Sequence, residues 1–99
     1  MDKKKRCLVT DKISKEGCKI GYMYREGSYN MFDDSGWRFF EGSEDEEYIS
    51  NPENSTAYTL EDVIKMDNSI EPYLDALEGS SFYKDEKGNF IEEKNGDDY

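Results

Sequence analysis

Seven consecutive residues, Gly36-Trp37-Arg38-Phe39-Phe40-Glu41-Gly42, restrict the fold of this chain more than any other stretch. Side chains of an extended strand alternate between its two faces. In that geometry Trp37 and Phe39 share one face, Arg38 and Phe40 share the other, and glycines bound the segment. It reads as a strand whose rings belong mostly to a packed core.

The rest of the chain is able to cover such a strand. Its 99 residues make one domain, and 14% of them are aromatic, which argues against full disorder although only 34% are hydrophobic. A chain of this size buries roughly 60–70% of the surface its unfolded form exposes, enough for one core without metal or disulfide. Cys7 and Cys18 fall on segments that read as neighbouring strands, so a bond between them is geometrically open. Two cysteines are too sparse for a disulfide framework, and both read as small buried hydrophobes.

Cys7-Leu8-Val9 predicts a first strand, and Gly17 a turn. Lys19–Arg25 alternates, with Ile20, Tyr22 and Tyr24 on one side and Gly21, Met23 and Arg25 on the other. A hairpin or meander is the simplest link between these two strands. Glu26–Ser35 reads as a loop tied down by Tyr29 and Phe32, and the acidic run Ser43–Tyr48 as solvated, anchored by Tyr48 and Ile49. Asn51–Ser55 has turn chemistry.

Thr59, with Asp62 three residues on, predicts the cap of a helix that buries Leu60, Val63 and Ile64. Asn68 or Ser69 would cap a second helix, with Pro72 in its first turn, an apolar face of Ile70, Tyr73, Leu74 and Leu77, and a stop at Gly79. Ser81–Lys84 and Asn89–Glu92 flank Asp85–Gly88 as a hairpin. The expected fold is α+β, a mostly antiparallel sheet with two short helices packed on it. Residues 1–6 read as a basic polar lead-in, 7–93 as the single domain and 94–99 as a polar tail.

Charge narrows the function. The chain has 24 acidic and 13 basic residues, a net charge of −11, and no histidine. Histidine triads, histidine general bases and Cys2His2 zinc sites are therefore excluded. No apolar run approaches the roughly 18 residues of a membrane span, or the about 7–15 of a secretory signal, so a cytoplasmic protein without membrane contact is expected. Residues 1–25 carry a net +5 and residues 26–99 a net −16. The basic start and the aromatic stripe do not outweigh this repulsion, and nucleic acid is not expected as a partner.

Neither a GxGxxG nor a GxxxxGK[ST] phosphate loop occurs. A calcium loop started at Asp85 fails, because Phe90 stands where glycine is required. No metal, cofactor or catalytic residue is expected, and the acidic run 41–47 offers cations no specific geometry. An acidic body attracts basic partners, and Phe40–Tyr48 mixes acids with rings as interfaces do. The candidate contact residues are Trp37, Arg38, Glu41, Glu44, Asp45, Glu46, Glu47 and Tyr48. Solubility accounts for the same charge, and core packing for the same tryptophan. A second reading is a housekeeping or regulatory module that binds a small ligand or a cation, favoured by a pocket lined by Tyr22, Tyr24 and Trp37, with Arg25 or Arg38 at its mouth to suit an anionic ligand.

The block from Gly21 to Glu26, the block Asp34-Ser35-Gly36-Trp37-Arg38-Phe39-Phe40-Glu41-Gly42 with the acids up to Tyr48, and Asn51-Pro52-Glu53-Asn54 carry a resemblance. It continues through Tyr58-Thr59-Leu60, Ile70–Asp75, Gly79–Phe82 and Asp85–Glu92. Over about residues 7–93 the chain resembles immunity protein family thirty-three of bacterial polymorphic toxin systems. That resemblance implies a non-enzymatic cytoplasmic antidote that binds and blocks a cognate toxin. It names no toxin and transfers no catalytic residue. The chain departs from the family pattern mainly in Gly27–Phe32.

Overall fold

The computed structural model describes residues 2–27 and 34–93. Its strands and helices are β1 (Arg6–Thr10), α1 (Asp11–Ser14), β2 (Tyr22–Arg25), β3 (Asp34–Phe40), α2 (Glu46–Ser50), β4 (Ser55–Thr59), α3 (Leu60–Met66), β5 (Ser81–Lys84) and β6 (Phe90–Glu92). Two 3-10 turns, Pro52–Asn54 and Asn68–Tyr73, join them. The strands form one sheet in the order β4-β1-β3-β2-β5-β6, in which only β1 and β3 run parallel. This is an α+β fold on a mostly antiparallel sheet.

The aromatic block is the middle of that sheet. Trp37 and Phe39 face the core, and their rings stack 5.9 Å apart. They share one buried core with Val9 of β1, Met23 of β2, Phe82 of β5, Ile13 of α1, Leu60 and Val63 of α3, and Ile70 and Leu74 beyond it. Gly36 is not the end of the strand. It lies inside β3, where the register with β1 slips between Arg6↔Asp34 and Leu8↔Arg38. Its φ is +87°, its carbonyl accepts the Glu26 N–H at 2.8 Å, and a Cβ there would strike the Glu26 carbonyl oxygen. Only glycine suits such a bulge.

The expected hairpin between the first two strands does not form. β3 lies between them, and α1 leads the chain away from β1. The second strand is also shorter than expected and starts at Tyr22. Met23, not Tyr22 or Tyr24, faces the core, while Ile20 reaches the same core from outside the strand. The alternation therefore holds from Tyr22 onward but not back to Ile20.

Thr59 caps α3 as expected, its Oγ1 accepting the Asp62 N–H at 3.2 Å. The second helix is reduced to the 3-10 turn Asn68–Tyr73, and its cap is Asp67. Ile70 and Leu74 are buried, but Leu77 is 80% exposed. A 3-10 turn repeats every 3.0 residues rather than 3.6, and Pro72 withdraws an amide donor. The chain leaves the turn before Leu77 can complete the stripe. The β5–β6 hairpin matches expectation, with Asp85 Oδ1 accepting the N–H groups of Lys87 and Asn89. Cys7, buried, and Cys18, partly exposed, are free thiols, so the bond left open above is not formed. Tyr29 and Phe32, expected to anchor the central loop, and the tail from residue 94 lie outside the described residues.

Candidate functional site

The helical cover supplied by α1, α3 and the turn at Asn68–Tyr73 lies on the core side of the sheet, whereas α2 adds no residue to that core. The other side is the candidate surface. Pairing of β2 with β3 sets Tyr22 opposite Phe40 and Tyr24 opposite Arg38, and strand alternation turns all four away from the core. The rings of Tyr24 and Phe40 stack with centroids 5.5 Å apart and planes 17° apart. Tyr22 tilts against both, at 6.1 Å from Tyr24 and 5.9 Å from Phe40. Ile49 of α2 approaches from the other side, and together with Gly42 and Glu44 these residues enclose a cleft of 310 Å³. A smaller cleft of 110 Å³ adjoins it, with Leu8, Glu26, Arg38 and Ser55 among its walls.

Glu44 forms the polar wall of the larger cleft. Its Oε2 accepts hydrogen bonds from Thr10 Oγ1 at 2.6 Å and the Glu41 N–H at 2.7 Å, and its Oε1 accepts the Gly42 N–H at 2.8 Å. Thr10 precedes α1 without capping it through its side chain, and its hydroxyl donates to Glu44. Gly42 makes the turn with φ +119°. Burial works against the Glu44 charge, yet these hydrogen bonds outweigh it and hold the carboxyl below its ordinary range. Glu44 is thus a fixed anion at neutral pH.

The expected contact residues are distributed unevenly. Arg38 lies on the open face, but its guanidinium is occupied by Asp34, at 3.0 and 3.1 Å, and by Glu26, at 3.2 Å. The hydrogen bond from Arg38 holds the Asp34 carboxyl below its usual range. Glu41 accepts from Ser43, through both its backbone N–H and its hydroxyl. Asp45 caps α2 by accepting the Tyr48 N–H at 2.8 Å, so the acidic run is partly a helix rather than a plain solvated loop. Acids in the first turn, Glu46 and Glu47, suit the positive end of its dipole and remain exposed. Lys12 lies 5.4 Å from the centre of the Tyr48 ring.

Trp37 departs from this group. It is 0% exposed, and its Nε1–H donates to the Leu74 carbonyl at 3.1 Å, so it builds the core and has no surface to offer a partner. The pocket expected around Tyr22, Tyr24 and Trp37 is corrected for the same reason: the tyrosines and the tryptophan lie on opposite faces of the sheet. Arg25 does not stand at a pocket mouth either, since it donates to the carbonyls of Ser35 and Ala76. Phe40 and Ile49 take the places assigned to Trp37. The signal for Phe40 was its offset by an odd number of residues from Trp37, and that for Ile49 was its expected role as an anchor of the acidic run. Among the described residues no group of His, Cys, Asp and Glu is placed to hold a metal ion, and no helix is long and apolar enough to cross a membrane.

What the arrangement offers is recognition: aromatic surface next to a fixed carboxylate suits a cation with a flat or apolar body. Neither the curated proteins nor the solved structures contain a match to the chain. The family profile described as Immunity protein Imm33 domain matches residues 7–94. With nearly all of its length inside that match, the chain belongs to the Imm33 immunity-protein family.

Proposed function

We propose that the protein is a cytoplasmic antidote that binds a cognate bacterial toxin and blocks it by occupancy, without turning over a substrate. Membership of the immunity-protein family carries this reading. The net charge of −11 supports a basic toxin surface as the complement. Arg38, Glu41, Glu44, Asp45, Glu46, Glu47 and Tyr48 are the contacts of this reading; Glu44 lining the cleft and Arg38 lining the one that adjoins it support it. Neither nucleic acid nor membrane has a role in this reading.

The test is capture of a toxin domain sought in the reading frames beside the gene, followed by association kinetics. Glu46 and Glu47 are exposed, so reversing both to lysine leaves the core and the Glu44 turn intact. The double variant is expected to associate about tenfold more slowly at low salt, with the gap closing as salt screens the surface. An unchanged association rate would remove the acidic surface from the mechanism. Absence of any complex would remove the toxin-binding reading itself.

A further inference from the structure

The open face has a centre that the acidic run does not supply. Leu8, Tyr83 and Ile91 are exposed there, and cross-strand pairing joins them to the cleft through Leu8↔Arg38, Arg38↔Tyr24, Tyr22↔Tyr83 and Tyr83↔Ile91. An apolar centre edged by acids is the anatomy of a protein-binding surface. Building on the binding role proposed above, we infer that the cleft between Tyr22, Tyr24, Phe40, Glu44 and Ile49 seats an arginine side chain of the protein partner.

Three observations favour that occupant. The cleft walls carry no lysine or arginine, and among the described residues no cation pairs with Glu44, whose hydrogen-bond donors are all neutral. Arg38, on the same face, is committed to Asp34 and Glu26. Tyr22 and Tyr24, both half-buried, line the same cleft as the carboxylate, with Phe40 stacked behind Tyr24. A guanidinium is planar and weakly hydrated and can stack on a ring while pairing with a carboxylate, whereas a lysine ammonium is a compact and strongly hydrated point charge. At 310 Å³ the cleft stands at the lower end of the range of about 300–1,000 Å³ typical of ligand sites, which suits one side chain. The surrounding apolar row requires a larger body than a free metabolite to cover it.

The proposal is tested by following backbone amide resonances while the isotope-labelled protein is titrated with the capped tripeptide Gly-Arg-Gly. Its counterparts contain citrulline or lysine in place of arginine, and free L-arginine is a fourth arm. The arginine peptide is expected to give saturable shifts at Tyr22, Tyr24, Phe40, Gly42 and Glu44, with an affinity about tenfold above that of the uncharged citrulline peptide. Tyr24→Leu keeps an apolar wall but removes a ring face, and it should weaken the peptide about fivefold. Tyr22→Leu provides the same reading should the first variant melt early. Equal binding of the citrulline peptide overturns the proposal, as do shifts centred on Glu46 and Glu47 or tighter binding of free arginine than of the peptide. The titration contains no toxin, so its failure leaves the antidote reading to the capture experiment, and failure of that capture leaves this result standing.

Discussion

Asp67→Asn isolates one buried charge and gives it a magnitude. Asp67 is only 5% exposed, and it fastens three parts of the chain together. Its Oδ2 accepts the Ile20 N–H at 3.0 Å and lies 3.7 Å from Lys84 Nζ, while its Oδ1 accepts the Ser69 N–H at 3.1 Å and the Ser69 hydroxyl at 2.6 Å. Asparagine has the same shape but only one acceptor oxygen. Whichever way the amide turns, one backbone N–H that was satisfied faces an NH₂ group. An unsatisfied buried donor costs about 1–3 kcal/mol, so the variant should lose about 2 kcal/mol at pH 7. In a domain of this size that lowers Tm by roughly 8–16 °C.

The pH dependence checks the cause of that loss. Burial opposes the Asp67 charge, but the bonds from Ser69 and Ile20 and the nearby lysine outweigh it and keep its pKa below the ordinary carboxylate value. A depressed native pKa contributes stability that is fully present above the unfolded value of about 3.9 and is lost as pH falls through the native one. Urea melts of wild type and variant should therefore differ at pH 7 and converge as pH falls through the lowered native pKa of Asp67. A difference under about 0.5 kcal/mol at neutral pH, or one that persists unchanged in acid, would refute this account.

Two further outcomes follow from the core. Trp37→Phe should cost about 2–4 kcal/mol in urea melts, from the lost indole volume and the orphaned Leu74 carbonyl, and a loss under about 1 kcal/mol would contradict its place in the core. Burial pushes the Cys7 thiol up to about 12, so a thiol reagent applied to the native protein should label Cys18 and reach Cys7 only on unfolding; equal rates at both would show that β1 opens readily.

Features written within a few residues of chain were the legible ones. The alternation of Trp37 and Phe39 against Arg38 and Phe40, the Thr59 cap and the turn at Asp85–Gly88 each depend on near neighbours, and the structure reproduces them. Features that depend on distant partners left little trace. β4 is a short edge strand of sequence STAYT with no buried residue, and its identity comes from pairing with β1 across some fifty positions. The parallel contact of β1 with β3 likewise has no local signature. α1 is four residues long with one buried side chain, below the length at which a helical period is readable.

The site was legible in part for the same reason. Tyr22 and Tyr24 announced themselves as a period-two pair, but deciding which face they occupy required knowing that Met23 packs inward. Glu44 looked equivalent to Asp45, Glu46 and Glu47 in the sequence. Its distinction comes from Thr10, thirty-four positions earlier, whose hydroxyl selects one carboxylate from the run.

The position of β1 has a consequence for assembly. Made before both of its neighbours, it must wait for residues 34–40 on one flank and 55–59 on the other before either row of its backbone groups is matched. Closure of those long loops ties the first turn of the chain to its middle, so no half of the molecule makes a self-sufficient folding unit. A nick or deletion in this strand would therefore not trim the protein but dissolve it, and the surface on its far side would vanish with it.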